Sequence, residues 1–110
     1  MIRVERIWLA TEALDMRSGA DRMLARIIEV FGSAQPHQAY CFANRRATRM
    51  KVLVHDGVGV WVALRRLNRR RFVWAAGQQA HFQLDAEQFQ ALVLGIAWQR
   101  VGSQGAISVV

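Results

Sequence analysis

Asn44-Arg-Arg-Ala-Thr-Arg-Met-Lys-Val-Leu-Val-His-Asp-Gly-Val-Gly-Val-Trp-Val-Ala-Leu-Arg-Arg-Leu-Asn-Arg-Arg-Arg-Phe-Val-Trp74 decides how this chain folds. Two apolar runs, Met50–Val54 and Val60–Leu64, flank Asp56-Gly57-Val58-Gly59. Asp and Gly supply turn geometry that branched residues resist, so the stretch predicts a β-hairpin. The charge is equally uneven. Nine of the chain's 15 Lys+Arg fall here, at Arg45, Arg46, Arg49, Lys51, Arg65, Arg66, Arg69, Arg70 and Arg71, against one acid, Asp56. The remaining six bases and seven acids nearly cancel, so the net charge of +7 belongs to this stretch.

Strand side chains alternate between faces, so loop length sets which residues share a side. A two-residue Asp56-Gly57 turn would set Arg49 and Lys51 beside Val62 and Leu64, mixing charge with apolar surface. A three-residue loop, Gly57-Val58-Gly59, with Gly59 left-handed in a bulge, would sort them. Met50, Val52 and Val54 would then share a dry face with Val60, Val62 and Leu64. Arg49, Lys51, Leu53 and His55 would share a basic face with Trp61, Ala63 and Arg65, with Trp61 near His55. Arg66 takes the parity of the dry face, as a cap on the core edge.

Working outward, Glu5–Ala10 alternates loosely and reads as a strand. Thr11–Arg17 is a connection. Ser18 is a candidate N-cap for a helix over Gly19–Phe31, whose Met23, Ile27, Val30 and Phe31 recur at helical spacing. Gly32 closes it. Ala39–Ala43 is apolar and aromatic enough for a buried strand. Beyond the hairpin, Phe72–Trp74 reads as a short extended piece, and Phe82 and Leu84 as an edge strand. Asp85 and Gln88 have capping-box spacing, followed by the stripe Phe89, Leu92, Val93 and Ile96. Residues 98–110 are weakly patterned and are expected to form a loose tail, with Ala106–Val110 a candidate last strand. The expected fold is one α+β domain over residues 1–110. It has an antiparallel sheet of four to five strands with the basic hairpin at its centre, covered on one face by two helices.

A balance of 53% apolar and 21% charged residues is that of a globular chain. One cysteine, Cys41, fits a reducing compartment. The first residues show no long apolar region behind a basic one, so a signal peptide is not expected, and no apolar run approaches membrane-spanning length. A cytoplasmic protein with no membrane partner is expected. Catalytic candidates are few. His37, His55 and His81 lack metal-ligand spacing, and Gly57-Val58-Gly59 lacks the helix and third glycine of a phosphate loop. Asp15, Asp21 and Asp56 have no spacing that unites them. His55-Asp56 reads as a strand end and turn, and Cys41 between Tyr40 and Phe42 as a core residue. Neither an enzyme nor a bound cofactor or metal is expected.

The stronger signal is cationic. Arg45, Arg46, Arg49, Lys51, Arg65, Arg69, Arg70 and Arg71 are the candidate nucleic-acid contacts, because clustered Lys and Arg bind phosphate and release counterions. Trp61, Phe72 and Trp74 would either stack on bases or fill the core. An acidic protein partner is the competing reading of the same surface.

Several motifs carry a resemblance. They are Ile7-Trp8-Leu9-Ala10, Asp15-Met16-Arg17, Val30-Phe31-Gly32, Phe42-x-Asn44-Arg45-Arg46-x-x-Arg49-Met50-Lys51-Val52-Leu53, Asp56-Gly57-x-Gly59-x-Trp61 and Arg66-Leu67-x-x-x-Arg71-Phe72-x-Trp74. In this order they resemble the second-frame accessory proteins, TnpB, of the insertion-sequence 66 transposons, which are distinct from the RNA-guided nucleases of that name. The likeness spans Ile7 to Ile96. His55 replaces a Trp common before Asp-Gly, Asn68-Arg69-Arg70 replaces a Glu-x-Gly turn, and Ala75 stands where Pro is common. The resemblance implies a non-catalytic accessory protein, encoded beside a DDE-type transposase and needed for efficient transposition. DNA contact and docking on the transposase are its two implied roles, and no catalytic residues are carried over.

Overall fold

The computed structural model describes residues 2–101. Its elements are β1 (Arg6–Ala10), α1 (Ala20–Phe31), β2 (Gln38–Ala43), β3 (Arg49–His55), β4 (Val60–Arg66), β5 (His81–Leu84) and α2 (Ala86–Val93), then a 3-10 turn at Trp98–Arg100. The expected strand at Ala106–Val110 lies outside the described residues. The strands form one sheet in the order β4-β3-β2-β1-β5. The α+β class, the five strands, the hairpin and the two helices are as the sequence suggests.

The sheet is mixed, which the local pattern did not suggest. β2–β3, β3–β4 and β1–β5 are antiparallel, but β1 and β2 run parallel, with Ile7 opposite Ala39 and Leu9 opposite Cys41. Parallel neighbours need a long crossover, and α1 with its loops is that crossover. The hairpin therefore lies at one side of the sheet, with β4 as the edge strand.

The helices divide between the faces. One face carries Ala10, Tyr40, Phe42 and Leu53 under Met23 and Ile27 of α1. The other carries Leu9, Cys41, Met50 and Leu84 under Ala91 and Leu92 of α2, with Phe72 and Trp98. The reason is visible in β2, where Ala39 to Ala43 are all buried. A strand buried on both sides reads as an unbroken apolar run and needs cover above and below. Burial pushes the Cys41 thiol up to about 12, so it is inert filling. Phe72–Trp74 joins no strand. It straps the α2 face through the Phe72 N–H to Ala47 O (2.7 Å), Trp74 Nε1–H to Ala10 O (2.8 Å) and Trp98 Nε1–H to Val73 O (2.7 Å).

Helix ends follow their capping chemistry. Asp85 and Gln88 form the expected reciprocal capping box at α2. Gly32 closes α1 in the left-handed conformation at φ 89°. The N-cap of α1 is Gly19, not Ser18, and it makes no side-chain cap. Ser18 is instead buried, its N–H given to Asp15 O and its carbonyl accepting the Lys51 ammonium.

The hairpin register differs from the expected one. His55 pairs with Val60, Leu53 with Val62, Lys51 with Leu64 and Arg49 with Arg66, so the loop is the four residues Asp56–Gly59. Gly57 at φ 90°, not Gly59, takes the left-handed position. The cause is Asp56. Its Oδ1 accepts the N–H groups of Gly59 (2.8 Å) and Val58 (2.9 Å), and its Oδ2 accepts the Trp61 indole N–H (2.9 Å). These bonds close a four-residue loop and hold Trp61 by Asp56, across from Val54 and on the face opposite His55. Arg49, Lys51 and Arg66 consequently share the α1 face with Leu53, Val60, Val62 and Leu64. Arg65 goes to the α2 face opposite Met50. The faces mix charge with apolar surface, as a two-residue turn would also have done.

Asp56 is also a titration handle. Hydrogen bonds from Gly59, Val58 and Trp61 hold its carboxyl at about 2, below the ordinary 3.8. A depressed carboxylate stabilises the fold above its unfolded pKa and loses that contribution as pH falls through the folded one. The expected outcome is a carboxyl-carbon NMR midpoint for Asp56 near 2. Urea midpoints should decline between about pH 4 and pH 2 in the wild type, and less in Asp56→Asn. A midpoint at the ordinary value would remove the carboxylate as the organiser of the loop.

Candidate nucleic-acid interface

The parallel pair places the loop after β1 beside the turn after β2. Between them lies an open cleft of about 550 Å³ lined by Ala13, Leu14, Asp15, Met16 and Arg17 on one side and Asn44, Arg45, Arg46, Thr48 and Arg49 on the other. Ligand sites in open α/β sheets favour this position, outside the carboxyl ends of parallel strands.

Both walls are fixed by short polar bonds. Asn44 Oδ1 accepts the N–H of Thr48 (2.9 Å) and of Arg49 (3.0 Å), and its amide donates to Thr48 Oγ1 (2.9 Å). Ala47 completes the turn at φ 57°, a conformation costly for a residue with a Cβ. The clamp leaves Arg45 and Arg46 exposed at the tip. Opposite, Asp15 accepts the Arg17 backbone N–H (2.9 Å), Nε (3.1 Å) and a terminal nitrogen (2.8 Å). The Arg17 side chain and then its backbone N–H hold the Asp15 carboxyl well below the usual range, and Asp15 raises the Arg17 guanidinium in return. Leu14 N–H to Ala43 O (2.9 Å) ties the walls at their base.

The eight residues expected to contact nucleic acid do not share one surface. Arg45, Arg46 and Arg49 converge on the cleft. Lys51 is half-buried and gives its ammonium to Ser18 O at 2.8 Å, pinning the Asp15–Ser18 loop to β3. Arg65 turns to the other face, where its Nε donates to Val93 O at 2.8 Å, and Arg70 donates to Leu94 O at 3.4 Å. These two supply positive charge at the carboxyl end of α2, whose last turn has no base of its own. A Cβ on Gly95 would meet Arg70 Cδ at 2.8 Å, so this packing is close. Arg69 and Arg71 are exposed on the Leu67–Arg71 loop, which Phe72 joins to the Arg45–Arg46 turn at Ala47 O.

One arginine joins the cleft lining against expectation. It is Arg17, missed because it is distant in sequence, although Asp15-x-Arg17 is the spacing of a carboxylate closing over its own loop. Arg66 stands outside that lining. It is exposed and lies directly opposite Arg49, so it does not cap the core edge. Cross-strand like charges repel, and no ion pair relieves them, because the ion pairs among the described residues join Arg3, Arg17 and Arg26 to Glu5, Asp15, Glu12 and Glu29. The cleft's four guanidiniums face one carboxylate, already engaged by Arg17. Of the aromatics in the stretch, Phe72 is buried, Trp74 half-buried and Trp61 exposed. No cluster of three or more His, Cys, Asp or Glu set to hold a metal occurs among the described residues, and no helix there is long and apolar enough to cross a membrane.

Residues 5–103 match the family described as IS66 Orf2 like protein. This chain belongs to that family. The family places the chain in the context of insertion-sequence transposition. Two uncharacterized proteins of Sinorhizobium fredii (strain NBRC 101917 / NGR234) are similar to it. The protein y4hO is 32% identical over 95 residues, covering 86% of this chain and 83% of its own length. The protein y4jC is 29% identical over 101 residues, covering 87% and 83%. No solved structure shows a significant match.

The Arg49–Arg66 pair can be tested by charge reversal. Arg66→Glu would convert repulsion into attraction and raise stability by about 0.5 kcal/mol in urea unfolding. The same change should weaken binding of a polyanion. Lower stability in this variant would mean that Arg66 has a structural partner.

Proposed function

We propose that this protein is a non-catalytic accessory factor of insertion-sequence transposition that holds the sugar–phosphate backbone of element DNA. The cleft residues Arg17, Arg45, Arg46 and Arg49 form the primary contact, with Arg66, Arg69 and Arg71 beside them. Lys51, Arg65 and Arg70 support the surface from behind. Arginine suits the task because its planar fork pairs with phosphate oxygens in two-point fashion. Such contacts position a protein on a duplex without reading sequence.

The observation that carries this reading is the convergence of guanidiniums from two separate loops on one cleft with a single, already occupied carboxylate. A merely solvated surface has no need of rigid walls, and the Asn44 clamp and the Asp15–Arg17 fork supply them. The competing role, docking of the same surface on acidic side chains of the element's transposase, uses the same charges but predicts different behaviour towards DNA.

Binding to a short duplex, measured by fluorescence anisotropy across a salt series, distinguishes the two. Each phosphate neutralised contributes about −0.9 to the slope of log K against log salt, so replacing Arg45, Arg46 and Arg49 together by Ala should shallow the slope by about 2 to 3. Substitution of Arg65 and Arg70 should change it little. No DNA binding even at low salt, together with co-purification of the transposase, would overturn the proposal in favour of docking.

A further inference from the structure

We propose that β4 is a self-association strand, pairing antiparallel with the β4 of a second copy about a two-fold axis at Ala63 to make one continuous sheet. This does not rest on the DNA reading. Among the described residues β4 is an edge of the sheet, and its charged protection is confined to Arg65 and Arg66 at one end. It holds no proline, pairs without interruption over seven residues, and leaves Trp61 53%, Val62 41% and Leu64 57% exposed.

The phase of the hairpin says which backbone groups are available. The Asp56 N–H to Gly59 O bond (3.0 Å) makes His55–Val60 a non-hydrogen-bonded pair. Alternation then turns the N–H and C=O of Trp61, Ala63 and Arg65 towards β3. Those of Val60, Val62, Leu64 and Arg66 face outward. A second β4 sharing the full strand must be centred on Ala63, the middle of Val60–Arg66. In that register outward residues meet outward residues: Val62 opposes Leu64 of the copy, and Val60 opposes Arg66 of the copy. Every outward group finds a partner.

The side chains are self-complementary in the same register. On the α1 face Val62 meets Leu64 of the copy, covering apolar surface that each chain leaves exposed. On the other face the aliphatic stem of Arg65, whose Nε stays on Val93 O, lies beside Trp61 of the copy, an indole held by Asp56. Ala63 meets Ala63, so nothing bulky sits on the axis. The +7 charge is the main obstacle. Yet the two Arg65 lie about 13 Å apart along the strands and the two Arg66 about 20 Å, beyond a Debye length of about 10 Å at 0.1 M salt. A second copy is therefore acceptable at ordinary ionic strength, and salt should strengthen the association.

Ala63→Cys tests both the partner and the register. At a non-hydrogen-bonded pair on the axis the two thiols lie within disulfide range, so mild oxidation should give a covalent dimer in high yield. Cys41 is fully buried and will not compete. Val62→Cys, whose copies would lie about 8 to 9 Å apart, should crosslink at least tenfold more slowly. Untagged wild type should show a dimer mass by light scattering that falls on dilution. Val62→Pro, which removes an outward N–H and no β3–β4 bond, should be monomeric with unchanged far-ultraviolet circular dichroism. Faster crosslinking through Val62→Cys would overturn the register. Monomeric wild type at every salt and concentration, or a dimer that survives Val62→Pro, would overturn the proposal.

Discussion

One carboxylate sets the phase of the hairpin on which the rest of the surface depends. Asp56 gathers three N–H donors and so fixes a loop of four residues between β3 and β4. A loop one residue shorter would exchange the faces of every β4 side chain relative to β3. Arg65 would then stand with Arg49 and Lys51, and the carboxyl end of α2 would keep only Arg70 of its two cations. With the loop as it is, Arg66 stands opposite Arg49 and the positive charge concentrates at the corner where the loops after β1 and β2 meet.

The cationic stretch therefore divides into two sets by geometry. Lys51, Arg65 and Arg70 donate to backbone carbonyls and lock loops and helix ends in place. Arg45, Arg46 and Arg49 stand exposed around the cleft with Arg17 from the preceding loop, and Arg66 lies opposite Arg49 beside them. Concentrating like charge costs stability, and a fold bears that cost most readily where a polyanion removes it on binding. Family membership supplies the setting, insertion-sequence transposition.

Much of the fold was legible in the sequence because it depends on local periodicity and capping. Met23 and Ile27 at helical spacing, Gly32 as terminator, the Asp85–Gln88 box and the unbroken apolar run of β2 each specify an element within a few residues of themselves. The parallel β1–β2 pairing was not legible, since nothing in either strand records the direction of its neighbour. The opposite placement of the helices follows from that pairing and from β2 being buried on both sides. The hairpin loop length was not legible, because the bonding capacity of Asp56 outweighs the sorting of charged from apolar residues. Of the candidate site, Arg45, Arg46 and Arg49 were readable as a basic turn, whereas Arg17 reaches them only through the tertiary fold.

In the proposed function the cleft arginines, and not the arginines buttressing α2, face the nucleic acid. NMR of the guanidinium Nε–Hε groups during titration with duplex DNA tells the two sets apart. Signals of Arg17, Arg45, Arg46 and Arg49 should shift and slow their exchange with water, while those of Arg65 and Arg70 stay in place. Shifts confined to Arg65 and Arg70, with the cleft signals unmoved at saturating DNA, would rule out the cleft as the DNA contact.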